Sequence, residues 1–137
     1  MTLPANLPSY PRGKAMADGD VLADLCEELF STEGGITAFA GGGQTNARQL
    51  NNALNVVTVV ATAADSVKLP PAKVGRRIYI KNADAADSMQ VFGSGTDTIN
   101  AVATATGVAQ AAGVTALYIC MAITAAGVGQ WQRILSA

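Results

Sequence analysis

The sequence contains no histidine, and aromatic and charged residues are scarce, at 5% and 14% of its 137 positions. Without imidazole there is no Ser-His-Asp triad, no histidine-ligated zinc and no imidazole acid–base group. The two cysteines, Cys26 and Cys120, lie far apart in the chain, and two thiols alone do not complete a four-ligand metal site. We therefore expect two free buried thiols, no cofactor, no metal and no enzymatic activity.

Long apolar runs and strong net charge are missing as well. No apolar run approaches the roughly 18 residues that a membrane-spanning helix needs, and the first residues lack the basic region and apolar core of a secretory signal. The formal net charge is −1, which disfavours general nucleic-acid binding. Half of the residues are hydrophobic, which argues against disorder as the main state. We expect a soluble protein made in the cytoplasm, with neither nucleic acid nor membrane as partner.

Residues 1–17 are predicted to form an extended N-terminal arm. Prolines alternate here with apolar residues and are followed by a cation: Leu3, Pro4, Leu7, Pro8, Tyr10, Pro11 and Arg12. Each proline fixes its own φ and biases the preceding residue toward extended geometry. An extended arm cannot bury its apolar side chains against itself, so we expect it to lie along the surface of a partner.

Residues 18–55 are predicted to contain one amphipathic helix and a connector rich in glycine and asparagine. The helix is expected from residue 20 to about residue 32, with Gly34 and Gly35 ending it. Its apolar stripe follows a 3.6-residue period: Val21, Leu22, Leu25, Cys26, Leu29 and Phe30. Three turns are marginally stable alone, so the stripe must pack either on its own domain or on a neighbouring subunit.

Residues 56–137 are predicted to form a β domain. Short β-branched runs, separated by turn signals, occupy residues 56–62, 67–69, 77–81, 88–92, 98–100, 114–123 and 130–135. Connections of hairpin length predict a mainly antiparallel β-sandwich or barrel, jelly-roll-like. We expect 77–81 and 88–92 to form a hairpin and 67–69, stopped by Pro70 and Pro71, to lie at an edge or a corner.

Alternation within these runs predicts which side chains share a face. Ile78 and Ile80 are expected to point inward from the run 77–81. The run 114–123 is apolar on both sides of the predicted strand. One side carries Leu117, Ile119, Met121 and Ile123, and the other carries Tyr118 and Cys120.

Charge is distributed unevenly along the chain. Residues 1–33 hold two basic and six acidic side chains, a net charge of −4, whereas residues 34–137 hold seven basic and four acidic ones, a net charge of +3. Five of those seven cations lie in residues 68–81, among them Arg76, Arg77 and Lys81. They are interpreted either as a solvated strand edge that deters edge-to-edge pairing or as a patch that meets an acidic surface.

The aspartates Asp84, Asp87 and Asp97 fall in predicted turns. Calcium takes oxygen ligands of this kind, but the spacing matches no calcium-binding loop. Turns favour Asp for its hydrogen bonds to the backbone, and we interpret the three residues as turn formers.

Residues 55–137 resemble a module of tailed-bacteriophage virion structural proteins, most closely capsid decoration or cement proteins. The likeness is carried by VVTVVATAADSVKLPPAKVGRRIYIKN, SMQVFGSGTDTIN, VAQAAGVTALYICMA and a closing GQWQRIL. The chain differs from that pattern at Gly93-Ser94-Gly95, where the relatives often carry a proline. The resemblance implies a protein without catalytic groups.

What the resemblance implies is a decoration protein of the phage head, located on the capsid surface of the virion. It would form a homotrimer at local three-fold positions, bind the major capsid protein and stabilise the shell mechanically. The expected capsid and subunit contacts are Leu3, Leu7, Tyr10, Arg12, Leu22, Leu25, Leu29, Phe30, Arg76, Arg77 and Lys81. The alternative is a trimeric head-fibre or tail-fibre module that binds host glycans through Tyr79, Phe92 and Trp131.

Overall fold

The computed structural model describes residues 29–137, which form a mainly β fold, as predicted. Leu29 and Phe30 are helical, and ten strands follow within the described residues. In chain order they are β1 (Thr32–Thr37), β2 (Arg48–Gln49), β3 (Leu54–Val59), β4 (Ser66–Lys68), β5 (Arg77–Asn82), β6 (Met89–Phe92), β7 (Thr98–Ile99), β8 (Val108–Gln110), β9 (Thr115–Ile123) and β10 (Gly129–Leu135).

The strands belong to two open sheets between which the chain alternates. The six-stranded sheet has the order β1-β3-β5-β9-β10-β7, and the four-stranded sheet has the order β2-β4-β6-β8. Up to β9, each strand joins the sheet that its predecessor did not join. Among the strands of residues 29–137, only β9 and β10 are both consecutive and paired. Neither sheet closes into a barrel within residues 29–137.

The prediction of a mainly antiparallel, jelly-roll-like sheet is wrong. Five of the eight strand pairs in the described residues are parallel, including β1/β3, β3/β5, β2/β4 and β4/β6. The three antiparallel pairs involve β8 or β9. The first six strands therefore wind between the sheets like successive coils of a parallel β-solenoid. The four-stranded sheet ends with antiparallel β8, and the six-stranded sheet continues through antiparallel β9 and β10 to β7, which pairs parallel with β10.

The predicted hairpin of 77–81 with 88–92 is also wrong. These residues form β5 and β6, which lie in different sheets; β5 pairs with β3 and β9, and β6 pairs with β4 and β8. A short connection can join two strands side by side through hydrogen bonds or face to face through side chains. Both arrangements satisfy the same two-residue apolar alternation, so the turn spacing did not distinguish them.

Strand β1 contains the glycines that were predicted to end the helix. Glu33 pairs with Asn55 and Ile36 with Val57, so β1 carries one residue more than β3 in this interval. This extra residue is a β-bulge, and Gly35 takes a φ of 69° there, which glycine adopts without steric cost. The β fold thus includes residues 32–55, which the sequence analysis treated largely as helix end and connector.

Of the other local predictions, the one that depends on side-chain alternation is confirmed, and the one that depends on strand pairing is wrong. The alternation of Ile78 and Ile80 inward is confirmed, since both are buried and their neighbours Arg77 and Tyr79 are exposed. The predicted edge position of 67–69 is wrong, because β4 lies between β2 and β6. Pro70 and Pro71 follow the strand and do not interrupt its hydrogen bonds.

The hydrophobic core lies between the two sheets. The six-stranded sheet contributes its largest side chains through Trp131 and Tyr118, which are 1% and 0% exposed. The four-stranded sheet contributes Met89, Val91 and Val67, all fully buried. Together with the aliphatic residues between them they form one contiguous cluster. The inner faces of the two sheets therefore pack against each other.

Candidate functional site

The outer face of the six-stranded sheet carries an exposed row of apolar side chains. Leu54 on β3 is in register with Tyr79 on β5, Tyr79 with Leu117 on β9, and Leu117 with Ile134 on β10. Leu54, Tyr79 and Ile134 are 39%, 45% and 58% exposed. Because in-register partners on neighbouring strands point to the same side of the sheet, these four residues form one continuous apolar surface, here called the outer row.

Strand β9 extends this apolar surface beyond the outer row. Its inward side chains are Ala116, Tyr118 and Cys120, all buried. The opposite side carries Leu117, Ile119 and Met121, of which Met121 is 58% exposed. The predicted alternation is confirmed as far as Met121, and the structure shows that Leu117, Ile119 and Met121 face outward. A register shift, in which Trp131 pairs with Cys120 but Gln130 with Ala122, interrupts the alternation before Ile123. Contiguous exposed apolar patches mark interaction surfaces more often than single exposed residues do.

A cleft of about 440 Å³ adjoins this outer face. Its walls combine the helical residues 29–30, the loop before β5, and the first residues of β5. The lining residues are Leu29, Phe30, Ala53, Lys73, Val74, Gly75, Arg76, Arg77 and Tyr79. Its mixture of apolar and cationic side chains suits an amphipathic, acidic partner better than a neutral one.

The structure separates the three cations that the sequence analysis grouped together. Arg76 donates from Nη1 to the carbonyl of Pro71 at 3.2 Å, while its Nε is buried without a partner. Lys81 donates from Nζ to the carbonyl of Gly113. Arg77 is exposed at the cleft. Arg76 and Arg77 thus border the cleft together, whereas Lys81 is used to hold the loop before β9.

Most of the other predicted contact residues lie outside the described residues: Leu3, Leu7, Tyr10, Arg12, Leu22 and Leu25. Of the predicted helix stripe, Leu29 and Phe30 are described, and they are 56% and 74% exposed. Both belong to the cleft. The structure therefore brings the end of the predicted stripe to the same region as Arg76 and Arg77.

A buried polar network ties the two sheets together behind the outer row. The Gln110 amide on β8 donates to the carbonyls of Ile80 at 2.8 Å and Val114 at 2.9 Å. Its Oε1 accepts a 2.9 Å hydrogen bond from the hydroxyl of Tyr118. Burial raises the pKa of Tyr118, so the phenol stays protonated and acts as the donor. Asn82 adds a 3.1 Å bond from its amide to the carbonyl of Gln110. This arrangement is structural.

Asp84 accepts hydrogen bonds from backbone donors, as a turn former does. The Asp84 carboxylate accepts from the backbone N–H groups of Asp87 and Ala86, each at 2.9 Å, and of Val60 at 3.1 Å. These hydrogen bonds hold the pKa of Asp84 below its usual value, and the bond from Asp87 has the largest effect. Within residues 29–137, no three His, Cys, Asp or Glu side chains lie close enough together to hold a metal ion.

Asp97 and Cys120 have local environments that fit structural roles. Asp97 accepts from the backbone N–H of Gly129 at 2.8 Å and of Ala72 at 3.1 Å, which joins the loop before β5 to β10. Cys120 is a free, buried thiol, and burial raises its pKa. A protonated thiol is a poor nucleophile, so Cys120 serves as a core side chain.

The exposed aromatics differ from those expected for a glycan site. Trp131 and Phe92 are 1% and 6% exposed, and Tyr79 is the one member of that predicted trio at the surface. Phe30 and Phe39 are exposed instead. Since sugar rings stack on accessible aromatic faces, the predicted trio does not form a glycan-binding surface.

No protein-family model matches the chain, and no curated protein and no solved structure has significant similarity to it. Among the described residues, no helix combines the length and apolar character needed to cross a bilayer.

The outer row was not among the sites predicted from the sequence. The signal was present in residues 114–123, where both sides of the predicted strand are apolar. A strand with one buried face normally pairs it with a polar one, so a second apolar face indicates either a covered sheet or an interface. Choosing between these required knowing that no described element packs over β9.

Proposed function

We propose that this protein is an assembly subunit of a tailed-phage head: a decoration protein that binds the outer surface of the capsid, associates as a homotrimer and stabilises the shell mechanically. The observation that carries the proposal is the outer row, an apolar surface that crosses four strands and remains exposed in the single chain. Fully burying one side chain of this size contributes about 1.5–3 kcal/mol, so covering the row favours association.

The sequence supports the same role. The chain has no histidine and few charged residues, and residues 55–137 resemble decoration proteins in their strand and turn pattern. We also propose that the two sheets of the β domain form a sandwich. Two sheets that share one core give a rigid body, and a rigid body transmits contacts from its neighbours to the shell.

The mechanism divides the contacts between two regions. The β domains contact one another through the outer face of the six-stranded sheet. The N-terminal arm, through Leu3, Leu7, Tyr10 and Arg12, lies across the seams between capsid subunits. Each contact is weak, but a trimer presents three arms to a repeating lattice, and multivalent binding raises the overall affinity by orders of magnitude.

Co-sedimentation with empty heads, assembled from the major capsid protein encoded with this chain, tests the proposal. The full chain is compared with an arm variant carrying Leu7→Glu and Tyr10→Glu, and with a control carrying Ala109→Glu on the exposed side of β8. Placing charge at two apolar contacts should lower head affinity by at least about tenfold, since about 1.4 kcal/mol is tenfold. The control should bind like the unchanged chain.

The outcomes separate the parts of the proposal. If the unchanged chain does not sediment with heads, it is not a decoration protein of those heads. If the arm variant binds as well as the control, the arm is not the anchor. Measuring the molar mass of the unchanged chain by light scattering tests the trimer independently of any capsid.

A further inference from the structure

Two apolar surfaces of this chain lack a partner within the described residues. One is the outer face of the six-stranded sheet, where Tyr79, Met121 and Ile134 are 45%, 58% and 58% exposed. The other is the end of the predicted amphipathic stripe, where Leu29 and Phe30 are 56% and 74% exposed. Both surfaces are apolar, and one is a sheet face while the other is a narrow stripe.

We propose that the outer face of the six-stranded sheet receives segment 20–30 of a second copy of this chain. The inference rests on the assembly role proposed above and names the contact that would join the subunits. One copy supplies the sheet, and the next copy supplies the amphipathic segment. The contact is heterologous, because two different surfaces meet, and such contacts build rings when the rotation closes.

Charge complementarity favours this occupant over a general apolar one. Segment 20–30 carries four acidic and no basic side chains: Asp20, Asp24, Glu27 and Glu28. The cleft beside the outer face is bordered by Arg76 and the exposed Arg77. An apolar stripe laid on the outer face would place the acidic flank of the segment within reach of these cations, which fixes the orientation of the docked segment.

The dimensions also agree. Eleven residues in a helix span about 16 Å at 1.5 Å per residue. The outer row runs across four neighbouring strands, β3, β5, β9 and β10, a width of about 14 Å at 4.8 Å per strand spacing. The segment therefore has the length needed to cover the row once.

The covering segment is assigned to a second copy because Leu29 and Phe30, the described end of that segment, remain exposed beside their own sheet. Ser31 is fixed to β3, where its carbonyl accepts from Leu54 N–H and its hydroxyl from Ala53 N–H, both at 3.0 Å. Leu29 and Phe30 precede this anchor directly, next to Tyr79. If the segment covered its own sheet, Leu29 and Phe30 would be the first residues of the stripe to be buried, and both are exposed.

Native Cys26, which lies within the predicted stripe, provides the probe. The unchanged chain is mixed with a size-tagged chain that carries Cys26→Ser and Met121→Cys, and the mixture is treated with a short bismaleimide. The matched control chain carries Cys26→Ser and Ala109→Cys, which places the thiol on the exposed side of β8. Cys120 is buried in all chains and serves as a common background.

Docking in trans should give a cross-linked heterodimer of unchanged and tagged chains. Docked thiols are held near each other at a millimolar effective concentration, whereas undocked thiols meet at the bulk concentration of about 10 μM protein. The chain with Met121→Cys should therefore yield at least about tenfold more heterodimer than the control chain with Ala109→Cys. Introducing Leu25→Glu into the unchanged chain should reduce the yield to that of the control. Denaturation curves recorded for each variant confirm that the exposed substitutions leave the fold intact.

Two results would overturn the inference. Equal heterodimer yields from the two tagged chains would show that the segment does not dock on the outer face. A cross-link confined to the monomer, in a chain carrying both Cys26 and Met121→Cys, would show that each sheet is covered by its own segment. Neither result depends on capsids, so failure of this inference is distinguishable from failure of head binding.

Discussion

The hydroxyl of Tyr118 is predicted to stabilise the β fold. Tyr118→Phe keeps the ring and removes the donor that satisfies Gln110 Oε1 at 2.9 Å. Both residues are 0% exposed, so no solvent replaces the lost hydrogen bond. Leaving a buried acceptor without a partner costs about 1–3 kcal/mol. At about 4 °C per kcal/mol for a domain of this size, Tm should fall by about 4–12 °C.

The assay is thermal and denaturant unfolding followed by circular dichroism, with Tyr79→Phe as the matched control. Tyr79 lies on the same sheet but is 45% exposed, and exposed substitutions usually change stability by less than about 0.5 kcal/mol. Gln110→Met completes a double-mutant cycle. Once the acceptor is gone, Tyr118→Phe should cost measurably less than it does in the unchanged chain.

Equal losses from Tyr118→Phe and Tyr79→Phe would refute the reasoning. So would a double-mutant cycle without coupling, because the two side chains would then contribute independently. A loss from Tyr118→Phe that disappears in the Gln110→Met background would support the hydrogen bond as the cause.

Two further predictions follow from close packing and from titration. A Cβ added by Gly129→Ala would overlap the Cβ of Ala72 and approach Asp97 Oδ1 to 2.7 Å. Unfolding experiments should therefore show that the free energy of unfolding falls by about 1–3 kcal/mol. The control Gly34→Ala, whose added Cβ would have nothing within 4 Å, should leave it nearly unchanged. Because backbone donors lower the pKa of Asp84 in the folded state, its contribution is present above the ordinary carboxyl pKa and is lost as pH falls through the lowered one. The stability difference between the unchanged chain and Asp84→Asn should therefore shrink in acid, and a difference independent of pH would contradict this.

The sequence was sufficient for those features that depend on neighbouring residues. The alternation of Ile78 and Ile80 with Arg77 and Tyr79, the strand at residues 115–123, and the glycine-bounded turns all follow from local pattern. The same holds for the aspartate turns, since Asp84 captures the N–H groups of residues two and three positions later in the chain. Local geometry and side-chain chemistry decide these features.

Strand pairing and the choice of buried face in β9 were decided by the tertiary structure alone. A strand with apolar residues on both sides, such as β9, carries no local sign of which side will meet the core, and here Tyr118 and Cys120 are buried while Met121 is exposed. The partner of β5 likewise depends on residues far away in the chain, at Leu54 and Leu117. Distant segments compete for the same backbone hydrogen bonds, so strand pairing is determined only when the whole chain packs. This pairing creates the exposed outer row.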